Sequence, residues 1–237
     1  MLRFLRRHLW LVDWGDVMEM LRRSQLHYSL LEPLVQSHQH TEKSRPGYEL
    51  AIRVRDTLLS LCALFFAIPL VIVFGIAIKL ETPGPIFHKQ IRVGKDGACF
   101  TLYKLRSMIQ DAEPNGAQWA SKDDPRVTRV GRFMRRTHID ELPQIINVLK
   151  GEMSIVGPRP ERPELTMVFE ASVSGFTHRL RVKPGLTGLA QINGGYELTP
   201  EQKLRLDLKY IENRSLWLDT VIIAKTIVIV VTGRGVY

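Results

Sequence analysis

Cysteine is scarce in this chain. Cys62 and Cys99 are the only two, and they form no C-x-x-C pair, so neither a disulfide framework nor a cysteine zinc site is readable. That scarcity fits a reducing compartment. A secretory leader is not expected either. The opening MLRFLRRHLWLVD is basic, but Arg and His interrupt its apolar run, which ends at Asp13. There is no internal repeat and no low-complexity tract. Aromatic residues make up 8% of the chain and form neither a stacking ladder nor a recognition-helix pattern, which argues against a nucleic-acid reader. His38 and His40, in the polar stretch SHQH, read as a solvated loop rather than a metal pair. Acidic residues are outnumbered 24 to 33 by basic ones, giving a net charge of +9. Such a balance favours anionic partners: phosphorylated small molecules, nucleic acid or an acidic membrane face.

What is present is a folded chain of 237 residues, 45% hydrophobic, with one long apolar run. Residues 1–36 show helical spacing at Leu2, Leu5, Leu9 and Val12. Arg3, Arg6 and Arg7 lie to one side, a pattern for a helix on a membrane surface or against a protein partner. A polar linker is expected over 37–48. Residues 57–78 then carry no charge for 22 positions, about 33 Å of straight helix against a hydrocarbon core of about 30 Å. Pro69 sits near the middle and should bend the helix. Both flanks are basic: Arg45, Arg53 and Arg55 before, Lys79, Lys89, Arg92 and Lys95 after. The positive-inside rule is met best if both ends emerge on one side. A re-entrant helix-break-helix is therefore favoured over a spanning helix, which stays open.

After the rigid turn TPGP, two alternating runs flank GKDG at 94–97, a β-hairpin signal. A loop is expected over 111–125, helices over 126–136 and 141–150, stiff loops at GPRP and KPGLTG, a short strand at 190–193 and a helix over 200–213. The apolar stretch 221–231, too short to span, reads as a surface-lying or packed helix. The expected fold is α+β and mostly helical. Its parts are an N-terminal extension (1–50), a membrane segment (51–80) and a catalytic domain (81–237).

The chemistry concentrates in RRTHIDELPQ. In the second helix, Leu142, Ile145, Ile146 and Leu149 form a stripe that should face a core, with Asp140, Gln144 and Asn147 opposite. Two carboxylates, Asp140 and Glu141, then emerge at a helix start. Thr137-x-x-Asp140 resembles a capping box, and on these ten residues alone capping is the more economical reading. Five arginines (126, 129, 132, 135 and 136) change the balance. Guanidinium groups clamp phosphate and should hold Asp140 ionised. A solvated basic face, or one resting on acidic headgroups, is the competing reading. Beside bound phosphate, a carboxylate can hold Mg²⁺ or attack phosphorus; the neighbouring Glu141 can position the metal or move a proton. Arg159 is held out between two prolines, while Lys104 and Arg106 at the end of the hairpin are weaker candidates.

The apolar segment with its proline, followed by KLETPGPIFHKQIRVGKDG, FTLYKLRSM, DPRVTRVGRFMRRTHIDELPQIINVLKGEMSIVGPRP and VKPGLTGLAQING, resembles the bacterial sugar transferases, the monotopic phosphoglycosyl transferases. The resemblance covers about residues 54–237. It implies transfer of a sugar-1-phosphate from a UDP-sugar to undecaprenyl phosphate, with Mg²⁺, at the cytoplasmic face of the bacterial inner membrane. It implies Asp140 as nucleophile and metal contact, with Glu141 as its partner in both tasks. Arg135 and Arg159 match phosphate-contacting positions, and Lys104 the basic residue of the Y-K-x-R motif, which also contains Arg106. Membrane lipids are implied partners; homo-oligomerisation, supported by residues 1–50, is compatible with this. One departure is Ile68 before the kink proline, where many members have Ser. The alternatives are a membrane-anchored basic module for acidic lipid or nucleic acid, and a Mg²⁺-dependent lipid pyrophosphate phosphatase.

Overall fold

The computed structural model describes residues 45–110, 112 and 124–232. The expected N-terminal amphipathic helix, and nearly all of the 111–125 loop, lie outside the described residues. Helix α1 runs from Pro46 to Glu81 for 36 residues, about 54 Å at helical rise. Pro46 occupies its first turn, where a missing N–H costs nothing. The helix therefore starts inside the stretch expected to be linker. The helical run continues through Pro69, so the segment is one helix rather than two separated by a non-helical break.

Strands β1 (Phe87–Val93) and β2 (Cys99–Leu105) pair antiparallel, with Phe87 opposite Leu105 and Val93 opposite Cys99. Asp96 and Gly97 both take positive φ, 54° and 80°, as a tight hairpin turn demands. Helix α2 (Arg129–Thr137) follows, then a 3₁₀ turn (Ile139–Gln144) and α3 (Ile145–Lys150). Strands β3 (Ser154–Val156) and β4 (Gly185–Thr187) pair in parallel. Between them lie α4 (Pro163–Ser172) and a 3₁₀ stretch, Phe176–Arg181. Helices α5 (Pro200–Glu212) and α6 (Leu216–Thr232) close the described chain.

The expected strand at 190–193 is instead a 3₁₀ turn, Gln191–Asn193, and part of KPGLTG is the strand. A three-residue strand has no periodicity to read. Its partner lies some thirty residues away, and the pairing depends on backbone approach: a Cβ on Gly185 would meet the Gly157 nitrogen at 2.1 Å. The helix expected over 200–213 is present, opened by a reciprocal Thr199–Gln202 capping box.

Both ends of α1 dock on the same domain. Near its start, Arg53 donates to the Val148 and Leu149 carbonyls of α3, both at 2.6 Å. Asp56 accepts from Ser154 at 2.6 Å, and Arg55 reaches Asp219 of α6 at 2.5 Å. Tyr210 of α5 donates to the other Asp219 oxygen at 2.8 Å. Near its end, Ile78 packs with Leu105 and Met134, flanked by Val71, Phe74 and Ile86. Glu81 accepts from the Arg129 and Val130 amides at the start of α2, at 2.7 and 3.0 Å.

Between these docking points one side of α1 still packs, burying Ser60 and Ala67, and most of the rest is exposed. Its most apolar window has a mean hydropathy of 2.9, yet 17% of it is buried. Leu58, Phe65, Phe66 and Ile72 are exposed, as are Trp217, Ile227 and Val231 of α6. So contiguous an apolar surface is what a bilayer covers, and the protein is membrane-associated. The apolar C-terminal stretch, expected as a surface-lying or packed helix, is a helix longer than its sequence signal, packed on the core through Ile222.

Candidate active site

The dyad sits where α2 ends. His138 takes the left-handed conformation (φ 56°, ψ 16°), closing α2 and opening the 3₁₀ turn. A non-glycine residue there carries backbone strain of a kind that gathers at functional sites. Thr137 does not cap the following turn. Its hydroxyl donates back to the Phe133 carbonyl at 2.9 Å, so the expected capping box is absent.

The expected single helix over 141–150 is thus split, which moves its faces. A 3₁₀ turn advances about 120° per residue instead of about 100°. Asp140, Gln144 and Asn147, expected opposite the core, are all buried, whereas Ile146 of the expected core stripe is 42% exposed. Asn147 is consumed in structure: its amide donates to the Thr101 carbonyl and to Glu152, both at 2.7 Å.

The two carboxylates differ sharply. Glu141 accepts from Lys104 at 2.9 Å, and Arg159 grips it with both terminal nitrogens, one at 3.2 Å and one closer. Burial alone would push Glu141 up. The charges and hydrogen bonds of Arg159 and Lys104 outweigh that and hold it well below the usual carboxylate range. Asp140 is 6% exposed. Among the described residues, no hydrogen bond to its side chain occurs. Burial pushes its pKa up, opposed by the charges of Lys104 and Arg135. The expectation that arginines would lower it is therefore corrected: desolvation wins because most of those arginines are elsewhere. Arg126 pairs with Asp124 at 2.5 Å, and Arg129, Arg132 and Arg136 are exposed on α2. Arg135 alone turns inward, donating to the Ser107 hydroxyl at 2.8 Å.

Lys104 and Arg159 thus meet at the dyad, as the sequence suggested. Arg106 does not join them. It is buried and donates to the Pro83 carbonyl, and at 2.9 Å to that of Thr82, bracing the turn after α1. Three supports had no signal in sequence spacing. Arg179 donates to the Arg159 carbonyl at 2.8 Å while its Nε bonds Asp207 at 2.8 Å. Arg92 donates to the Pro160 carbonyl at 2.8 Å. Gly157 enters the same loop where a Cβ would strike the Lys183 carbonyl at 2.4 Å. GPRP is therefore held by its backbone from two sides, which fixes the Arg159 fork.

No cluster of three or more His, Cys, Asp or Glu side chains occurs among the described residues. Both Glu141 oxygens are bonded to cations, whereas the Asp140 oxygens have no hydrogen-bond partner among the described residues.

The sequence signature of the family described as "Bacterial sugar transferase" matches residues 47–233. A UDP-N-acetylgalactosamine-undecaprenyl-phosphate N-acetylgalactosaminephosphotransferase of Aeromonas hydrophila is 44% identical over 193 residues, covering 80% of this chain and 46% of that protein. A UDP-glucose:undecaprenyl-phosphate glucose-1-phosphate transferase of Xanthomonas campestris pv. campestris is 41% identical, covering 80% of this chain and 40% of its own. A protein of the same name from Caulobacter vibrioides is 41% identical, covering 81% and 74%. The chain spans less than half the length of the first two. The matched segment takes in α1, the dyad and both stiff loops, and on that ground the chain belongs to the bacterial sugar transferase family.

Proposed function

We propose that this protein transfers a sugar-1-phosphate from a UDP-sugar to undecaprenyl phosphate, releasing UMP, through a covalent intermediate on Asp140. The observation that carries the reading is the asymmetry of the dyad: Glu141 is saturated by Lys104 and Arg159, while Asp140 beside it is buried and uncommitted. A carboxylate with no protein partner keeps its lone pairs for phosphorus.

In the first step an Asp140 oxygen attacks the sugar-bearing phosphorus. The bond from that phosphorus to the bridging oxygen breaks, and UMP leaves with the electron pair. In the second, an oxygen of undecaprenyl phosphate attacks the same phosphorus and frees the Asp140 carboxylate. Lys104, Arg135 and Arg159 surround the reacting phosphate with positive charge fixed before the substrate arrives. Glu141 orients two of these cations. Mg²⁺ fits here as an ion carried by the donor diphosphate, with Asp140 as the dyad carboxylate able to meet it. When bound, it would neutralise phosphate charge.

The acceptor lies in the bilayer and the donor in water, so the dyad belongs at headgroup level. We read α1 as entering and leaving the same leaflet, bent at Pro69, with the domain on the cytoplasmic face. Docking of both α1 ends on one domain supports this, since a spanning helix would hold its ends a bilayer apart. The Phe65 carbonyl, which Pro69 leaves without its helical donor, then needs water or a neighbour as partner. The relatives differ in the sugar they are named for, N-acetylgalactosamine or glucose, so the donor sugar is left as a variable.

The deciding assay is UMP release in detergent with Mg²⁺ across a panel of UDP-sugars, with and without undecaprenyl phosphate. Without acceptor, one equivalent of UMP per enzyme and a phosphosugar adduct on Asp140 are expected. Turnover should require acceptor. Absence of UMP from every donor would overturn the assignment, and water-driven turnover without acceptor would make the enzyme a UDP-sugar hydrolase. For topology, single cysteines at both ends of α1 should label from the same side of sealed vesicles.

A further inference from the structure

The mechanism uses one of the five arginines before the dyad, and Asp124 holds a second. The other three, Arg129, Arg132 and Arg136, share the outer face of α2 with Phe133. At helical spacing these four positions fall within an arc of about 100°. The opposite face is the buried one: Met134 is 0% exposed, and a Cβ on Gly131 would strike the Ser107 carbonyl at 2.0 Å. Among the described residues, the side chains of these three arginines make no ion pair and no hydrogen bond, so three positive charges stand on one small surface.

Phe133 says what that surface faces. It is 52% exposed, and its ring stacks on Phe74 of α1 at 5.7 Å between centroids and 12° between planes. Phe74 belongs to the apolar run itself, whose neighbours Ile72, Val73 and Ile76 are all exposed. The basic face of α2 is therefore continuous with the lipid-facing surface of α1. Lys79 stands exposed on the same end of α1.

We propose that the outer face of α2 is a docking surface for anionic lipid headgroups, with Phe133 seated beneath them and Arg129, Arg132 and Arg136 among their phosphates. A basic helix with one apolar ring, joined side-on to a membrane segment, has the charge and polarity order of the interface. This rests on the proposed placement of the dyad at headgroup level and adds a lipid preference to it. Because α2 ends at His138, two residues from Asp140, lipid charge would set the depth of the nucleophile.

The test uses the full chain in nanodiscs of phosphatidylcholine alone or with phosphatidylglycerol, reading amide exchange over α2. At roughly fivefold per arginine near an anionic surface, exchange should slow by about tenfold or more when phosphatidylglycerol is present. R129Q/R132Q/R136Q should lose that difference, and R129K/R132K/R136K should keep it. UMP release in detergent by the glutamine variant, at unchanged KM for the UDP-sugar, reports separately on the transferase reading. Wild-type exchange indifferent to lipid charge, or a slowing that survives in the glutamine variant, overturns the proposal. A raised KM with lipid-independent exchange also overturns it, assigning these arginines to the donor diphosphate.

Discussion

Two buried carboxylate centres in this protein contrast with each other. At the root of α1, Asp56 and Asp219 are 2% and 0% exposed, and both carboxylates accept from donors around them: Arg55, Ser154 and Tyr210. At the dyad, Glu141 is served in the same way and Asp140 is left bare. Burying a carboxylate without partners is unfavourable, so a fold selected only for stability would satisfy it or remove it. The saturated centre ties the membrane helix to strands and helices. Under the proposed function, the unsaturated one is kept for a substrate.

The contrast breaks most severely at Asp140. Asp140→Asn should lower turnover by at least about 1000-fold while leaving the melting temperature unchanged or raised, measured by UMP release and thermal unfolding in the same detergent. Glu141→Gln should cost about 100-fold in turnover, because Lys104 and Arg159 lose the acceptor that aligns them. It should also destabilise, because it removes the negative charge against which the partly buried Lys104 and Arg159 are packed.

The pH profile sharpens the comparison further. Asp140 must be ionised to attack, and burial raises its pKa. The acid limb of the rate should therefore lie above the ordinary carboxylate range. Lys104→Met should push that limb higher, since Lys104 is the largest opposing influence. For stability the two neighbours act oppositely. Asp140 binds its proton more tightly folded than unfolded, so its contribution falls as pH rises from its unfolded pKa through its raised folded one. The gain from Asp140→Asn should vanish below that window. Glu141, held low, contributes fully above its unfolded pKa and loses that contribution as pH falls through its folded value.

The smallest effect on chemistry should come from the other centre. Asp219→Asn should cost about 3 kcal/mol of stability through the loss of its pairing with Arg55, read as a lowered melting temperature. The turnover of the molecules that remain folded should be nearly unchanged.

Much of this was legible in the sequence. The hairpin around Asp96-Gly97, the capped helix after Thr199 and the apolar run through Pro69 are local patterns, each set by residues within one or two turns. The dyad and its cations were legible as residue types. Their division of labour was not. Lys104 and Arg106 are equally weak basic candidates by sequence, two residues apart, yet Arg106 braces the Thr82–Pro83 turn while Lys104 joins Arg159 on Glu141.

The sequence by itself determined the chemistry available: two adjacent carboxylates, an excess of positive charge and an apolar helix to hold them at a membrane, because composition and short-range spacing carry that information. Only the tertiary structure decided which carboxylate is neutralised and which stays free. That choice depends on side chains arriving from β2 and from the loop after β3, 37 residues before Glu141 and 18 after it. It also depends on a 3₁₀ turn that rotates Asp140 inward. Hydrogen bonds across such separations are set by how the elements pack, and no local pattern records them.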